Sequence, residues 1–211
     1  RGRDCGTGGD PLMGYTHSNT AATTAAVANR IVTSANMKVG TYTIANASPV
    51  WAGGANITVT HTQVGGVTDT LGTVVITGTN LAGQTITETI TPLDGTVATG
   101  TKVFRTVTIV QGAGWVIDTG NDTITVGVAA GNIVAAGTGS IGSVLVNNAV
   151  AAAVVLSDSS GTIITIPASQ AAGTFYNLDG ADFAGFLKVA TTNTNDVTVF
   201  HTGTLPIFAT A

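Results

Sequence analysis

The chain predicts an all-β fold: two tandem antiparallel β-sandwich modules preceded by an N-terminal arm. Three observations lead there. From about Met37 to His201 the sequence is a series of short runs in which Val, Ile and Ala alternate with Thr, the period of a half-buried strand. Gly, Asn, Asp and Pro punctuate those runs at the spacing a sandwich requires. Only 9% of the 211 residues are charged, so the outer faces of these sheets carry Thr where Lys and Glu would be usual. Thr has strand propensity and loses little side-chain entropy when another surface covers it. Faces of this kind suit packing against copies of the chain or against a neighbour.

Taken in order, residues 1–36 are polar and small, Gly-rich to Gly14 and then SNTAATTAAVANRIVTSAN. Ala content and the Val27/Ile31 spacing allow a short helix after an N-cap at Ser18 or Asn19. The Thr residues at 23, 24 and 33 favour an extended arm, and both readings stay open. Residues 37–129 form the first expected module. Its strands are Val39–Ala45, Ile57–Gln63, Thr73–Thr79, Thr85–Thr91, Lys102–Val110, Trp115–Asp118 and Thr123–Val128. In the fourth, Ile86, Glu88 and Ile90 share one face and four Thr the other; in the second, Ile57, Val59 and His61 lie opposite Thr58, Thr60 and Thr62. Breaks fall at Gly53-Gly54, Gly65-Gly66, Gly83, Pro92, Gly112 and Gly120-Asn121.

Residues 130–211 form the second module. The expected strands are Ile133–Ala136, Ser143–Asn147, Ala153–Asp158, Thr162–Ile166, Thr174–Leu178, Phe186–Thr191 and Val197–His201, with the tail PIFATA beyond. Two sets of about seven strands, joined near Val128–Asn132 with almost no linker, suit immunoglobulin-like or jelly-roll-like sandwiches. Each half alone would bury only a little over 60% of its unfolded surface, so partners would add stability.

Composition excludes several functions. Seven Lys and Arg are scattered along a chain of net charge −4, so no clustered positive surface exists for nucleic acid. The longest apolar run, Ala149–Leu156, is far shorter than a membrane span. The single Cys5 offers no disulfide framework. The polar N-terminus has no signal-peptide core, Met13 is a candidate start, and MGYTHS fits a myristoylation pattern that short common residues also produce by chance.

Motifs for chemistry are weak. GTGSIG, Gly137–Gly142, spells G-x-G-x-x-G, but SVLVNN after it reads as a strand, and a dinucleotide site needs a helix there. DTGND (Asp118–Asp122) and DGAD (Asp179–Asp182) lack the order and late Glu of a calcium loop and read as Asx turns. His17, His61 and His201 are not at metal-ligand spacing; His61 reads as a partly buried polar cap, and one His per copy could meet only across a symmetry axis. No G-x-S-x-G elbow exists, and the only Glu is Glu88. Trp51, Trp115, Tyr15, Tyr42 and Tyr176 are few and fall mostly at strand positions that favour core packing. No catalytic, cofactor-binding or metal-binding residue is expected.

Two stretches carry a resemblance. GTYTIANASPVWAGGANITVTHTQVGGVTDTLGTVVITGTNLAGQTITETITP, followed by VFRTVTIVQGAGWVIDTGNDTITVG, resembles virion structural proteins of tailed bacteriophages. GSVLVNNAVAAAVVLSDSSGTIITIPASQAAGTFYNLDGADFAGFLKVATTNTNDVTVF is similar to a small β module recurrent in phage particle proteins. In that module a G-T-I-x-x-I-P-A turn ends one strand, A-G-T-[FY] opens the next, and a D-V-T-V strand closes it. The resemblance spans most of residues 38–201 and rests on pattern and composition. It implies an assembly role, most often as a head decoration protein, with no catalytic residue and no cofactor. The implied partners are the chain itself as a homo-oligomer, a trimer being one closed form, and a major capsid or other virion protein. Neither nucleic acid nor membrane is an expected partner, and the location is the virion, assembled in the host cytoplasm. A tail-tube or filament subunit and a surface adhesin or carbohydrate-binding module are the alternatives.

Overall fold

The computed structural model describes residues 16–20, 25–45, 50–64, 70–116, 120–191 and 195–203, with backbone alone at 16–20 and 50–52. Every regular element among them is a strand, and every pairing is antiparallel. In chain order these are β1 (Thr16–Thr20), β2 (Val27–Asn36), β3 (Val50–Thr62), β4 (Thr73–Thr79), β5 (Thr85–Ile90), β6 (Val97–Ala113) and β7 (Thr123–Val128). They continue as β8 (Asn132–Ala136), β9 (Gly139–Val146), β10 (Val154–Asp158), β11 (Gly161–Ile166), β12 (Phe175–Phe183), β13 (Phe186–Thr191) and β14 (Val197–His201).

The first region is one six-stranded sheet in the order β2-β7-β3-β6-β4-β5. The 17-residue β6 organises it. Its first half pairs with β3, from Thr60↔Val97 to Val50↔Thr106, and its second half pairs with β4, from Thr79↔Thr106 to Thr73↔Ala113. One strand therefore serves two neighbours in succession, and Phe104, fully buried, sits where the hand-over occurs. Ile31, Ile57, Val59, Val74, Ile76, Val107, Val110, Ile124 and Val126 complete a single apolar cluster drawn from β2, β3, β4, β6 and β7.

The second region has two four-stranded sheets, β1-β14-β9-β12 and β11-β10-β13-β8. Val144 and Val146 of β9 and Val197 and Val199 of β14 meet Leu156 of β10, Ile166 of β11 and Leu187 and Val189 of β13 in one buried cluster. Asp158 closes the β10–β11 turn: its Oδ1 accepts from the Ser160 and Gly161 amides at 2.7 and 3.1 Å, and its Oδ2 from the Ala184 amide at 2.9 Å. The regions meet where β7 runs into β8. There Ala129 N donates to Asn56 O at 2.9 Å and Lys188 Nζ to Asn56 Oδ1 at 3.1 Å. Burial at this junction pushes the Lys188 pKa below its ordinary value.

Several expected boundaries move. Val39–Ala45 is not a strand: Thr41 makes one isolated bridge to Gln111, and Tyr42 turns its ring into the core and donates its hydroxyl to Met37 O at 3.1 Å. Of Trp115–Asp118, Val116 makes one bridge to Thr70, and 117–119 lie outside the described residues. The strand expected at Thr174–Leu178 continues to Phe183 through a bulge. Residues 27–36, expected in the arm, are β2 itself, so no helix forms there, and Ile31 and Val32 lie in the core. Gly127 of β7 makes this possible, because a Cβ there would overlap the Val27 carbonyl oxygen of β2. Residues 16–20, also expected in the arm, are β1, paired antiparallel with β14 of the same chain. Residues 1–15 and 21–24, Cys5, Met13 and Tyr15 among them, the Gly65-Gly66 turn and the PIFATA tail from Pro206 lie outside the described residues.

Candidate functional site

Two features of the first region stand apart from ordinary core packing. One is polar and buried. His61, near the end of β3, faces inward with Ile57 and Val59 as the alternation requires. Its Nε2 lies 2.8 Å from Asp122 Oδ2 and its Nδ1 3.1 Å from Asp94 Oδ1. Asp122 is 0% exposed, and its second oxygen accepts from the Val64 amide at 2.8 Å. Asp94 stands in the β5–β6 turn with its side chain 63% exposed. A carboxylate oxygen therefore stands within hydrogen-bonding distance of each ring nitrogen. The cluster ties β3, the β5–β6 turn and the segment before β7 together at one end of the sheet.

The other feature is the outer face of β5-β4-β6. Register places Thr85, Thr79 and Thr106 in one row, Thr87, Thr77 and Ile109 in the next, and Thr89, Val75 and Gln111 in a third. No charged side chain occurs in these three rows. The hydroxyls partly satisfy one another, Thr79 with Thr106 at 2.7 Å and Thr77 with Thr87 at 3.4 Å. Ile109 is 43% exposed in the middle row. The outer edge of β5 is blunted, since Lys102 Nζ donates to the Thr87 carbonyl at 2.7 Å. Lysine at an edge opposes further strand pairing, and here it occupies a carbonyl of edge strand β5.

The residues singled out from sequence fall as follows. Gly137 turns the chain between β8 and β9, and a strand, not a helix, follows GTGSIG. Asp118 is outside the described residues, while Asp122 is the buried partner of His61 and no surface turn residue. Asp179 and Gly180 have φ of 52° and 77° within the β12 bulge, where Asp179 and Asn177 exchange side-chain and backbone hydrogen bonds at 3.2 Å. Glu88 is buried, and its Oε1 accepts from the amides of Thr101 and Lys102 at 2.6 and 3.1 Å and from the Thr101 hydroxyl at 3.1 Å, binding β5 to β6. Tyr42, whose burial raises its phenol pKa, is a core residue; Trp115 and Tyr176 pack against the first and second clusters. The side chains of His17 and Trp51 are outside the described residues. Among the described residues no group of three His, Cys, Asp or Glu is arranged to hold a metal, and no helix is long and apolar enough to cross a membrane.

His201 ends β14 fully buried, its ring edge-on to Phe183 at 6.4 Å between centroids. Burial pushes its pKa below the ordinary 6.5, and a backbone hydrogen bond with Gly203 opposes that shift. The unfolded chain therefore binds this proton more readily than the folded one. The associated stability is intact above the unfolded value and is lost as pH falls from there toward the depressed folded value. Urea midpoints should drop between about pH 7 and pH 5, and His201→Leu should reduce that drop. An identical slope in the variant would remove His201 from the account.

Asp94 and Asp122 were not linked to His61 by any spacing, since the contacts join β3 to segments about 30 and 60 residues away. Comparison with protein-family models, curated protein sequences and solved structures returns no match.

Proposed function

We propose that this chain is a non-enzymatic structural protein of a tailed-bacteriophage particle, a capsid decoration protein that stabilises the shell by covering joints between its subunits. The observation that carries this reading is the uncharged β5-β4-β6 face. Nine adjacent outward positions hold Thr, Val, Ile and Gln alone. Covering them costs little side-chain entropy and desolvates no charge. A specific contact needs about 800 Å² from each partner, so this face would form the uncharged centre of a larger contact. The partners proposed are further copies of the chain and the major capsid protein, and the location is the virion.

The finer architecture belongs to the same proposal. Two tandem sandwich modules are inferred, each around one apolar cluster, with β6 passing from one layer to the other in the first. An arm ahead of β1 that reaches a neighbour belongs to the same proposal, since β1 itself is spent on β14 of the same chain. The first module docks on the shell, and the second projects.

Electron cryomicroscopy of particles carrying the chain tests this. The expected result is density at icosahedral lattice points outside the major shell. Density on a helical lattice would assign the chain to a tail tube or filament, and absence from purified particles would overturn a virion role.

A further inference from the structure

We propose that the outer face of β14-β9-β12 is a saccharide-binding trough that takes neutral or amino sugars. This inference does not rest on the particle assignment. Register sets Phe200, Ser143 and Asn177 in one row across the three strands, and Thr198, Leu145 and Phe175 in the next. The two Phe therefore lie diagonally across β9. Strand spacing and rise put their Cα atoms about 12 Å apart, a span that seats two sugar rings. Phe175 is 59% exposed, although it is a large apolar side chain on a sheet face.

Between and beside these rings is a depression of about 850 Å³, floored by Ser143 and rimmed by Asn177, Asp179 and Asp182. It runs on into a second hollow of about 550 Å³ that shares Asp182. The rim is shaped by the bulge between Asn177 and Ala181. Bulges re-aim side chains and cluster beside functional sites, and here Asp179 adopts a left-handed backbone conformation with Asn177 bonded to its carboxylate.

The lining chemistry selects the ligand. Two phenyl faces suit the apolar C–H faces of sugar rings. Carboxylates, an amide and hydroxyls suit a ligand with many O–H groups, since the carboxylates accept and the amide both donates and accepts. Among the described residues no Lys or Arg lines either hollow, whereas Asp158, Asp179 and Asp182 do, so phosphates, nucleotides and uronic or sialic acids find carboxylates there and no counter-charge. Tyr42, Trp115 and Tyr176 pack in or against the two apolar clusters; the platform is Phe.

The test uses the full chain on a glycan array, followed by NMR titration with maltohexaose, cellohexaose, chitohexaose and hexagalacturonate. We expect at least one neutral or amino-sugar oligomer to bind and to shift the amides of Ser143, Phe175, Asn177 and Phe200. Phe175→Ala should weaken that binding by about tenfold, and Phe175→Trp should retain it. Because Phe175 is exposed, thermal unfolding of the Ala variant should match the parent. Hexagalacturonate should bind at least about tenfold more weakly. Shifts confined to other surfaces, silence across the array, equal binding of the acidic oligomer, or preference for a basic peptide would each overturn the proposal.

Discussion

His61→Ala should destabilise the fold by about 3–5 kcal/mol. The substitution takes from the Asp122 carboxylate, which has no solvent exposure, the ring that faces its Oδ2. Breaking one partner of a buried pair costs far more than the pair contributes net, because the remaining charge stays desolvated. For a chain of this length the fall in Tm should be roughly 6–20 °C. Asp94→Ala should cost under about 1 kcal/mol, since that carboxylate is largely in water and well screened. The double variant His61→Leu/Asp122→Leu should recover much of the loss by replacing the pair with apolar volume. Chemical denaturation of the four proteins checks this. A His61→Ala protein within about 1 kcal/mol of the parent would contradict the weight given to the His61–Asp122 pair.

Deletion of residues 1–36 should abolish folding of the first region, whereas deletion of residues 1–15 should leave it intact. A polar arm could be removed up to Asn36 without harm, but β2 is no arm. Full burial of Ile31 and Val32 contributes about 1.5–3 kcal/mol each. Together that is about 3–6 kcal/mol, comparable with the low end of a typical domain's stability of about 5–15 kcal/mol, and the deletion also strips β7 of its outer partner. Circular dichroism and near-ultraviolet spectra of both truncations, with hydrogen exchange on β7, distinguish the outcomes. Native-like protection of Thr123–Val128 in the longer truncation would contradict the place given to β2.

Strands with clean alternation were legible from sequence. Thr73–Thr79, Thr123–Val128, Phe186–Thr191 and Val197–His201 form where the period places them, and Thr85–Thr91 ends one residue early. Burial follows every second residue throughout β4 and β14. β2 was hidden because it breaks that rule. Register shifts on both sides of Val32 turn two consecutive residues, Ile31 and Val32, inward, and no two-residue period survives. The bulge in β12 likewise hid the strand beyond Leu178 behind an Asp-Gly pair that reads as a turn. Val39–Ala45 has strand composition but spends Tyr42 on the core and keeps one bridge.

The polar cluster was half legible. The inward orientation of His61 follows from Ile57 and Val59, but its two carboxylates come from turns, and turn Asp residues carry no signal that separates a buried anion from a solvated Asx turn. The uncharged outer faces were legible from composition alone. Their three-row arrangement on β5-β4-β6 required the register.

The central claim is that this face exists to be covered, and sedimentation velocity tests it most directly. The full chain should sediment as an oligomer over roughly 1–100 µM. Thr87→Lys/Ile109→Lys places two charges on the middle row at positions that are already exposed. That variant should sediment as a monomer with its thermal unfolding unchanged. A parent chain that is monomeric throughout this range, or a variant that assembles as the parent does, would contradict the claim.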